Sequence, residues 1–147
     1  MSIVFAVHLL STAALVGLIW IVQLVSYPLF AYVRQGFTSY HTAHCDRITF
    51  VVGPLMGAEG LTALWLLEEP PPGVSMIWIW GGLALIAINV LATAFVSVPL
   101  HNRLGRGYDE DTIAKLVRTN WIRTFAWTAR GILVGWMAVV AYAAPAS

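Results

Sequence analysis

The sequence has little charge: 8 of its 147 residues are Lys or Arg and 7 are Asp or Glu. Charged residues therefore make up 10% of the chain, where a soluble globular domain has about 25%. The net charge of +1 says nothing about partners by itself, and no motif in the sequence supports nucleic-acid binding. Composition therefore places the chain outside the soluble range and gives no support to a nucleic-acid partner.

Cysteine is also scarce, because Cys45 is the single one in the chain. One cysteine excludes an internal disulfide and any metal site made of cysteines alone. Its neighbours Asp46 and Arg47 suggest no activation, so we expect an inert thiol at this position.

Apolar sequence is what the chain has in excess, with 59% hydrophobic residues and a mean hydropathy of +0.78. A membrane-spanning helix needs about 20 apolar residues, and four such runs are present: Ile3–Phe30, Arg47–Leu67, Met76–Leu100 and Arg123–Tyr142. Gly53 and Gly57 in the second run indicate close helix packing. We predict an all-α polytopic membrane protein, one domain of residues 1–147, folded as an antiparallel up-down bundle of four transmembrane helices. No internal repeat stands out.

The basic residues have a one-sided distribution along the four predicted spans. One group contains Arg34 and Arg47, and the other runs from Arg103 to Arg123, with Arg130 just beyond it. With four spans both groups fall on one side of the bilayer, opposite the Glu68-Glu69 turn. Because cytoplasmic loops carry the excess of Lys and Arg, the sequence predicts both termini outside, in a multi-pass protein of a bacterial-type inner membrane.

One polar residue from each predicted helix reaches the middle of the bundle, counted at 1.5 Å per residue from the cytoplasmic ends. These residues are Gln23, Glu59, Asn89 and Arg130. A charge at the centre of a spanning helix costs about 2.5–3.5 kcal/mol, so we expect Glu59 and Arg130 to be paired or bridged through Gln23 or Asn89. Two interpretations stay open: a catalytic pair in a cavity, or a structural pair that fixes helix register.

A second polar layer is predicted at the cytoplasmic ends of the helices. It consists of Tyr27, His41, His44, His101, Asn120 and Arg123. With Gln23 and Asn89, these side chains are candidate ligand-binding residues. His8 lies near the opposite end of the first helix.

The spacing of His41 and His44, three residues apart, allows both to bind one metal ion, with His101 as a third ligand. The alternative is a set of solvated interfacial histidines without a metal. Haem ligation is disfavoured, because His8 and the other histidines lie at opposite faces of the membrane.

The C-terminal half carries two motifs, Ser97-Val-Pro-Leu-His-Asn-Arg-Leu and Asn120-Trp-Ile-Arg-Thr. They resemble those of the anthrone oxygenase-like superfamily of four-helix membrane proteins, which have a Val-Pro-Leu-Asn-type motif after the third span and a Trp/Asn-x-x-Arg-Thr motif at the fourth. Ser26-Tyr27-Pro28 is similar to the Asn-Pro pair that ends the family's first span, and His101 replaces a usual Asn. The resemblance implies oxidation of aromatic polyketides by molecular oxygen without an obvious cofactor.

Two hypotheses about function follow. In the first, the protein is an oxygenase-like oxidoreductase, or a binder, that takes a lipophilic small molecule from the bilayer. In the second, it is an accessory subunit of a larger membrane protein complex, or a homo-oligomer, with no catalysis of its own. Transport is disfavoured because small transporters are built from repeats.

Overall fold

The computed structural model describes residues 2–144, so Met1 and residues 145–147 of the predicted domain lie outside the described range. Within that range the chain is helical without any strand. Four helices are long and apolar enough to cross a membrane: α1 (Ile3–Tyr32), α2 (Phe37–Glu68), α3 (Met76–Leu104) and α4 (Glu110–Ala143). The predicted all-α bundle of four transmembrane helices is confirmed.

The two helices that follow the basic loops start earlier than the predicted spans. α2 begins at Phe37 rather than Arg47, and α4 begins at Glu110 rather than Arg123. Asp109 caps α4, because its carboxylate accepts hydrogen bonds from the Thr112 hydroxyl at 2.6 Å and from the Thr112 N–H at 3.3 Å. These hydrogen bonds, with a smaller effect of Arg103, lower the pKa of Asp109.

α1 and α3 share an unusual feature, a five-residue π-helical segment near the C-terminal end of each helix, where the basic loops follow. The segments are Val22–Ser26 and Thr93–Ser97, and each ends two residues before a proline, Pro28 or Pro99. In both, the N–H just before the proline bonds to the first carbonyl of the segment. Proline removes a backbone donor and crowds the preceding turn, and a wide turn accommodates it. Such π-bulges are frequent at functional sites.

These two matching segments lie 71 positions apart in the chain. Gly36 and Gly107, both with positive φ (67° and 156°), keep the same offset. Further identical pairs are Val25/Val96, Ser26/Ser97, Leu29/Leu100, Ala58/Ala129, Gly60/Gly131 and Trp65/Trp136. These identities are few against a uniformly apolar background, so no repeat stands out from the sequence. The bundle consists of two related hairpins, α1–α2 and α3–α4.

The two hairpins meet at two equivalent interfaces, which differ in tightness. α1 packs closely on α4, whereas α2 and α3 have the sparsest contact of the neighbouring helices. A Cβ atom at Gly131 of α4 would lie 2.8 Å from Cγ2 of Val16 on α1, while one at the equivalent Gly60 of α2 would meet nothing within 4 Å. A Cβ atom at Gly53 or Gly57 would likewise meet nothing within 4 Å, so the prediction of close packing at these glycines is wrong. The bundle thus has one closed interface, between α1 and α4, and one open interface, between α2 and α3.

Candidate functional site

A cavity of about 710 Å³ occupies the inner half of the open interface. Its volume lies within the range of small-molecule sites, roughly 300–1,000 Å³. Apolar side chains from α1 and α2 form much of its wall: Leu18, Ile19, Val22, Ile48, Val52 and Met56. Its exposed lining residues come from α2, from α3 and from the loop after α3, among them Thr49, Gly53, Val98 and Asn102. The cavity therefore opens between α2 and α3.

A cluster of polar side chains, here called the inner cluster, lies at the end of this cavity that adjoins the basic loops. It consists of Tyr27, His41, Cys45, His101 and Arg123, all of which line the cavity. The Tyr27 hydroxyl lies 2.9 Å from His101 Nε2, and His41 Nε2 lies 3.0 Å from His101 Nδ1. The Cys45 sulfur lies 3.6 Å from each of those two histidine nitrogens, Nε2 of His41 and Nδ1 of His101.

Arg123 is the cation of the inner cluster and has unused hydrogen-bonding capacity. Its side chain is 9% exposed, and Nη1 donates to Asn120 Oδ1 at 3.2 Å. Its Nε has no partner, and no carboxylate within residues 2–144 forms an ion pair with it. A buried cation without a counter-ion is costly, so this guanidinium is suited to an acceptor oxygen of a ligand.

Gln23 and Asn120 are hydrogen-bonded to each other across the closed interface, and neither lines the cavity. The Gln23 side-chain carbonyl accepts from Asn120 at 2.9 Å and from Thr124 at 3.2 Å, and its amide donates to the Val117 carbonyl at 3.1 Å. Asn120 also holds Arg123. These two predicted ligand-binding residues therefore support the site from behind.

A second buried cluster, the outer cluster, lies toward the chain termini. Its members are His8, Thr12, Glu59, Thr62 and Arg130. Arg130 donates from Nε to Glu59 Oε1, which also accepts from the Thr12 hydroxyl at 3.3 Å. His8, Glu59 and Arg130 are each at most 2% exposed. The expected pairing of Glu59 with Arg130 is present, but neither residue lines the large cavity.

His8 completes the outer cluster in one defined tautomer. The Thr62 hydroxyl donates to the Ala58 carbonyl at 2.7 Å, so it accepts from His8 Nδ1 at 2.8 Å. His8 Nε2 is then left to accept from Arg130 Nη2 at 3.0 Å. Every charged group of this cluster thus has a partner inside the protein, and His8 and Arg130 border a void of about 10 Å³.

Two other predicted residues occupy places that differ from expectation. The His44 ring packs edge-on against Phe30, with centroids 5.0 Å apart, and its Nε2 has no partner. Asn89 donates to the Leu85 carbonyl at 3.0 Å and does not bridge Glu59 and Arg130. Gln23 does not bridge them either, since its hydrogen-bond partners are Val117, Asn120 and Thr124.

Sequence reasoning missed Cys45 and His8 as members of the two clusters. Cys45 follows His41 by four residues, which leaves about 40° between them around the helix, against about 60° for His44 at three residues. His8 lies five residues from the start of α1 and its partner Thr62 six residues from the end of α2, so counting depth from those two helix ends was the missing signal. Comparisons with protein-family models, with curated proteins and with solved structures found no match.

Proposed function

We propose that the protein binds a lipophilic small molecule in the cavity between α2 and α3 and holds its polar end at the inner cluster. The observation that carries this proposal is the combination of a cavity of about 710 Å³ with an apolar wall and a buried, unpaired Arg123 at one end. Ligand sites in proteins have this composition, with many apolar contacts and a few convergent polar groups. The preferred ligand is an apolar, ring-sized molecule with an acceptor oxygen such as a carbonyl or phenolate.

The opening of the cavity supports access from the bilayer. Thr49 and Gly53 lie on its exposed rim, beside Phe50, which is 81% exposed. Exposed aromatic and aliphatic side chains on a spanning helix face lipid. A lipophilic ligand therefore reaches the cavity sideways from the membrane, while Asn102 and Arg106 border the water-facing end.

The resemblance of the Val98-Pro99-Leu100 and Asn120-x-x-Arg123-Thr124 motifs to the anthrone oxygenase-like superfamily favours an oxygenase-like oxidoreductase. In such a reaction the methylene group of an anthrone becomes a carbonyl, one atom of O₂ enters the product and the other leaves as water. Arg123 would bind the oxygen that becomes negative when the methylene loses a proton. That role suits a cation in a water-poor site, where charge interactions are strong.

Binding of anthrone to the purified protein in lipid nanodiscs tests the proposal, with matched glycine variants as a control. Gly53 lines the cavity and Gly57 does not, and a Cβ at either position meets nothing within 4 Å. Gly53→Leu should fill the cavity and weaken binding at least about tenfold, while Gly57→Leu should leave it unchanged. Tenfold corresponds to about 1.4 kcal/mol. Equal affinity in both variants would place the ligand elsewhere.

A second pair of variants tests the polar end of the site. Arg123→Met should weaken anthrone binding and Arg118→Met should not, because Arg118 lies exposed on the same helix. Formation of anthraquinone with consumption of O₂ by the wild type supports the oxidoreductase. Binding without turnover leaves a binding protein, and the absence of both favours the accessory subunit.

We also propose that both termini face outward in a bacterial-type inner membrane, since the Lys and Arg residues of the loops lie between Arg34 and Arg118 and positive loops stay cytoplasmic. A reporter fused after residue 147 that is active only in the cytoplasm should stay inactive; activity would reverse the topology.

A further inference from the structure

The inner cluster contains three metal-binding atoms that are arranged as the vertices of a small triangle. His41 Nε2 and His101 Nδ1 are 3.0 Å apart, and Cys45 Sγ lies 3.6 Å from each. Zinc-type metals bind nitrogen at about 2.0–2.1 Å and sulfur at about 2.3 Å. In a tetrahedral complex these bond lengths separate two nitrogens by about 3.3 Å and a nitrogen from a sulfur by about 3.5 Å. The three atoms are already spaced as the ligands of one ion.

We infer that His41, Cys45 and His101 form a binding site for one transition-metal ion of the zinc and copper class. This inference goes beyond the proposed function, because the cavity can hold an apolar ligand with or without a metal. Imidazole and thiolate together suit zinc and copper, whereas magnesium, calcium and manganese prefer oxygen ligands. The ligand set differs from the one expected from the sequence, with Cys45 in place of His44.

The local structure holds the ligands without a large rearrangement. His41 and Cys45 are one turn apart on the same face of α2. His101 lies on α3 shortly after the π-helical segment that ends at Ser97. The three residues are buried or half-buried, which restricts competition by water.

Tyr27 contributes a hydrogen bond that is typical of metal-bound histidines. Its hydroxyl oxygen lies 2.9 Å from His101 Nε2. With the proton on Nε2 donated to this oxygen, the lone pair on Nδ1 points to the triangle. Such outer partners fix the tautomer and orientation of a ligating histidine, and their loss commonly weakens metal affinity 10- to 100-fold.

The site leaves one coordination position for a further molecule. His41, Cys45 and His101 all line the large cavity, so the fourth position of a tetrahedral ion faces it. Three protein ligands with one open position are characteristic of catalytic rather than structural zinc sites. A metal here would polarise an oxygen atom of whatever occupies the cavity.

The same three atoms also have a metal-free interpretation, in which one imidazole donates a hydrogen bond to the other and the thiol packs beside them. Cobalt(II) separates the two interpretations in the wild-type protein alone. The full chain, purified with a tag that contains no histidine and treated with a chelator, is titrated with Co²⁺. A sulfur-to-cobalt charge-transfer band with intense tetrahedral d–d bands at one equivalent is expected, and their absence overturns the inference.

Zinc and copper(I) binding to variants then identifies the ligands. Cys45→Ser should remove the sulfur-to-cobalt charge-transfer band and weaken zinc binding at least about tenfold, and His101→Ala should abolish stoichiometric zinc binding. His44→Ala is the matched control and should bind as the wild type does, because His44 is outside the triangle. Loss of binding in His44→Ala with retention in Cys45→Ser overturns the proposed ligand set. Since metal binding is measured without anthrone and anthrone binding with chelator present, failure of either proposal leaves the other testable.

Discussion

The outer and inner clusters are both buried polar groups in an apolar bundle, yet their hydrogen bonding differs. In the outer cluster Arg130 lies between Glu59 and His8, and each of these has a further partner in Thr12 or Thr62. In the inner cluster Arg123 keeps an unpartnered Nε beside a large cavity. A fully satisfied network stabilises and specifies the fold, whereas unsatisfied buried groups are expected where a ligand binds.

This difference teaches that charge at depth alone does not locate a binding site in a membrane bundle. Glu59 and Arg130 are more deeply buried than Arg123, but they neutralise each other, and Arg130 borders a void of only about 10 Å³. The space for a ligand lies at the open interface, between α2 and α3.

The largest effect is expected when the outer cluster loses one charge. Glu59→Gln keeps the shape of the side chain but leaves Arg130 as an uncompensated buried cation, which should lower the free energy of unfolding by about 3–5 kcal/mol. Thermal or denaturant unfolding of the detergent-solubilised protein measures this loss.

The double variant Glu59→Gln with Arg130→Met should recover much of the stability, because no charge is then stranded. If its loss equals the sum of the two single losses, the two residues are not coupled and the outer cluster is not a structural unit. Loss of anthrone binding without any change in stability would assign Glu59 to function and break the comparison.

An intermediate effect is expected from the equivalent glycines on α2 and α4. Gly131→Ala places a Cβ against Val16 in the closed interface, where the side chain must shift, and overpacking of this kind costs about 1–3 kcal/mol. Gly60→Ala adds the same group to open space and should be neutral, or stabilising through helix propensity by up to about 1 kcal/mol. Unfolding curves of both variants check the asymmetry; equal losses would mean that the two interfaces are equally closed.

The smallest effect is expected at Asp109, a carboxylate that lies outside both clusters. Asp109 has a lowered pKa in the folded protein, so it contributes stability above its unfolded-state pKa, and this contribution disappears as the pH falls through the folded-state pKa. Asp109→Asn should therefore lower the melting temperature slightly at neutral pH, with a difference that shrinks as the pH falls below the unfolded-state pKa of about 3.9. A pH-independent difference would show that capping geometry rather than charge is responsible.

Much of the fold could be predicted from the sequence because long apolar runs have few alternatives in a membrane. Helix number and the helical content depend only on composition and run length. The pairing of Glu59 with Arg130 was also accessible, since two opposite charges at depth have a strong reason to meet.

The candidate site was harder to predict, because its geometry depends on rotations that composition does not specify. The position of Cys45 rather than His44 beside His101 depends on the rotation of α2, because adjacent residues lie about 100° apart around a helix, on opposite sides of His41. The roles of Gln23 and Asn120 depend on which of the two interfaces is closed. The residue types of the two hairpins do not indicate which one that is.

The π-helical segments make the register of the inner cluster depend on a single residue of chain length. Each segment holds one residue more than the same length of α-helix, so every residue after it lies about 100° around the helix from the place that an uninterrupted α-helix of the same sequence would give it. Without its π-helical segment α1 would turn Tyr27 away from His101, and without its own segment α3 would turn His101 away from His41 and Cys45. In either case the apolar span would still cross the bilayer, so the cluster depends on two local turns that membrane insertion does not require.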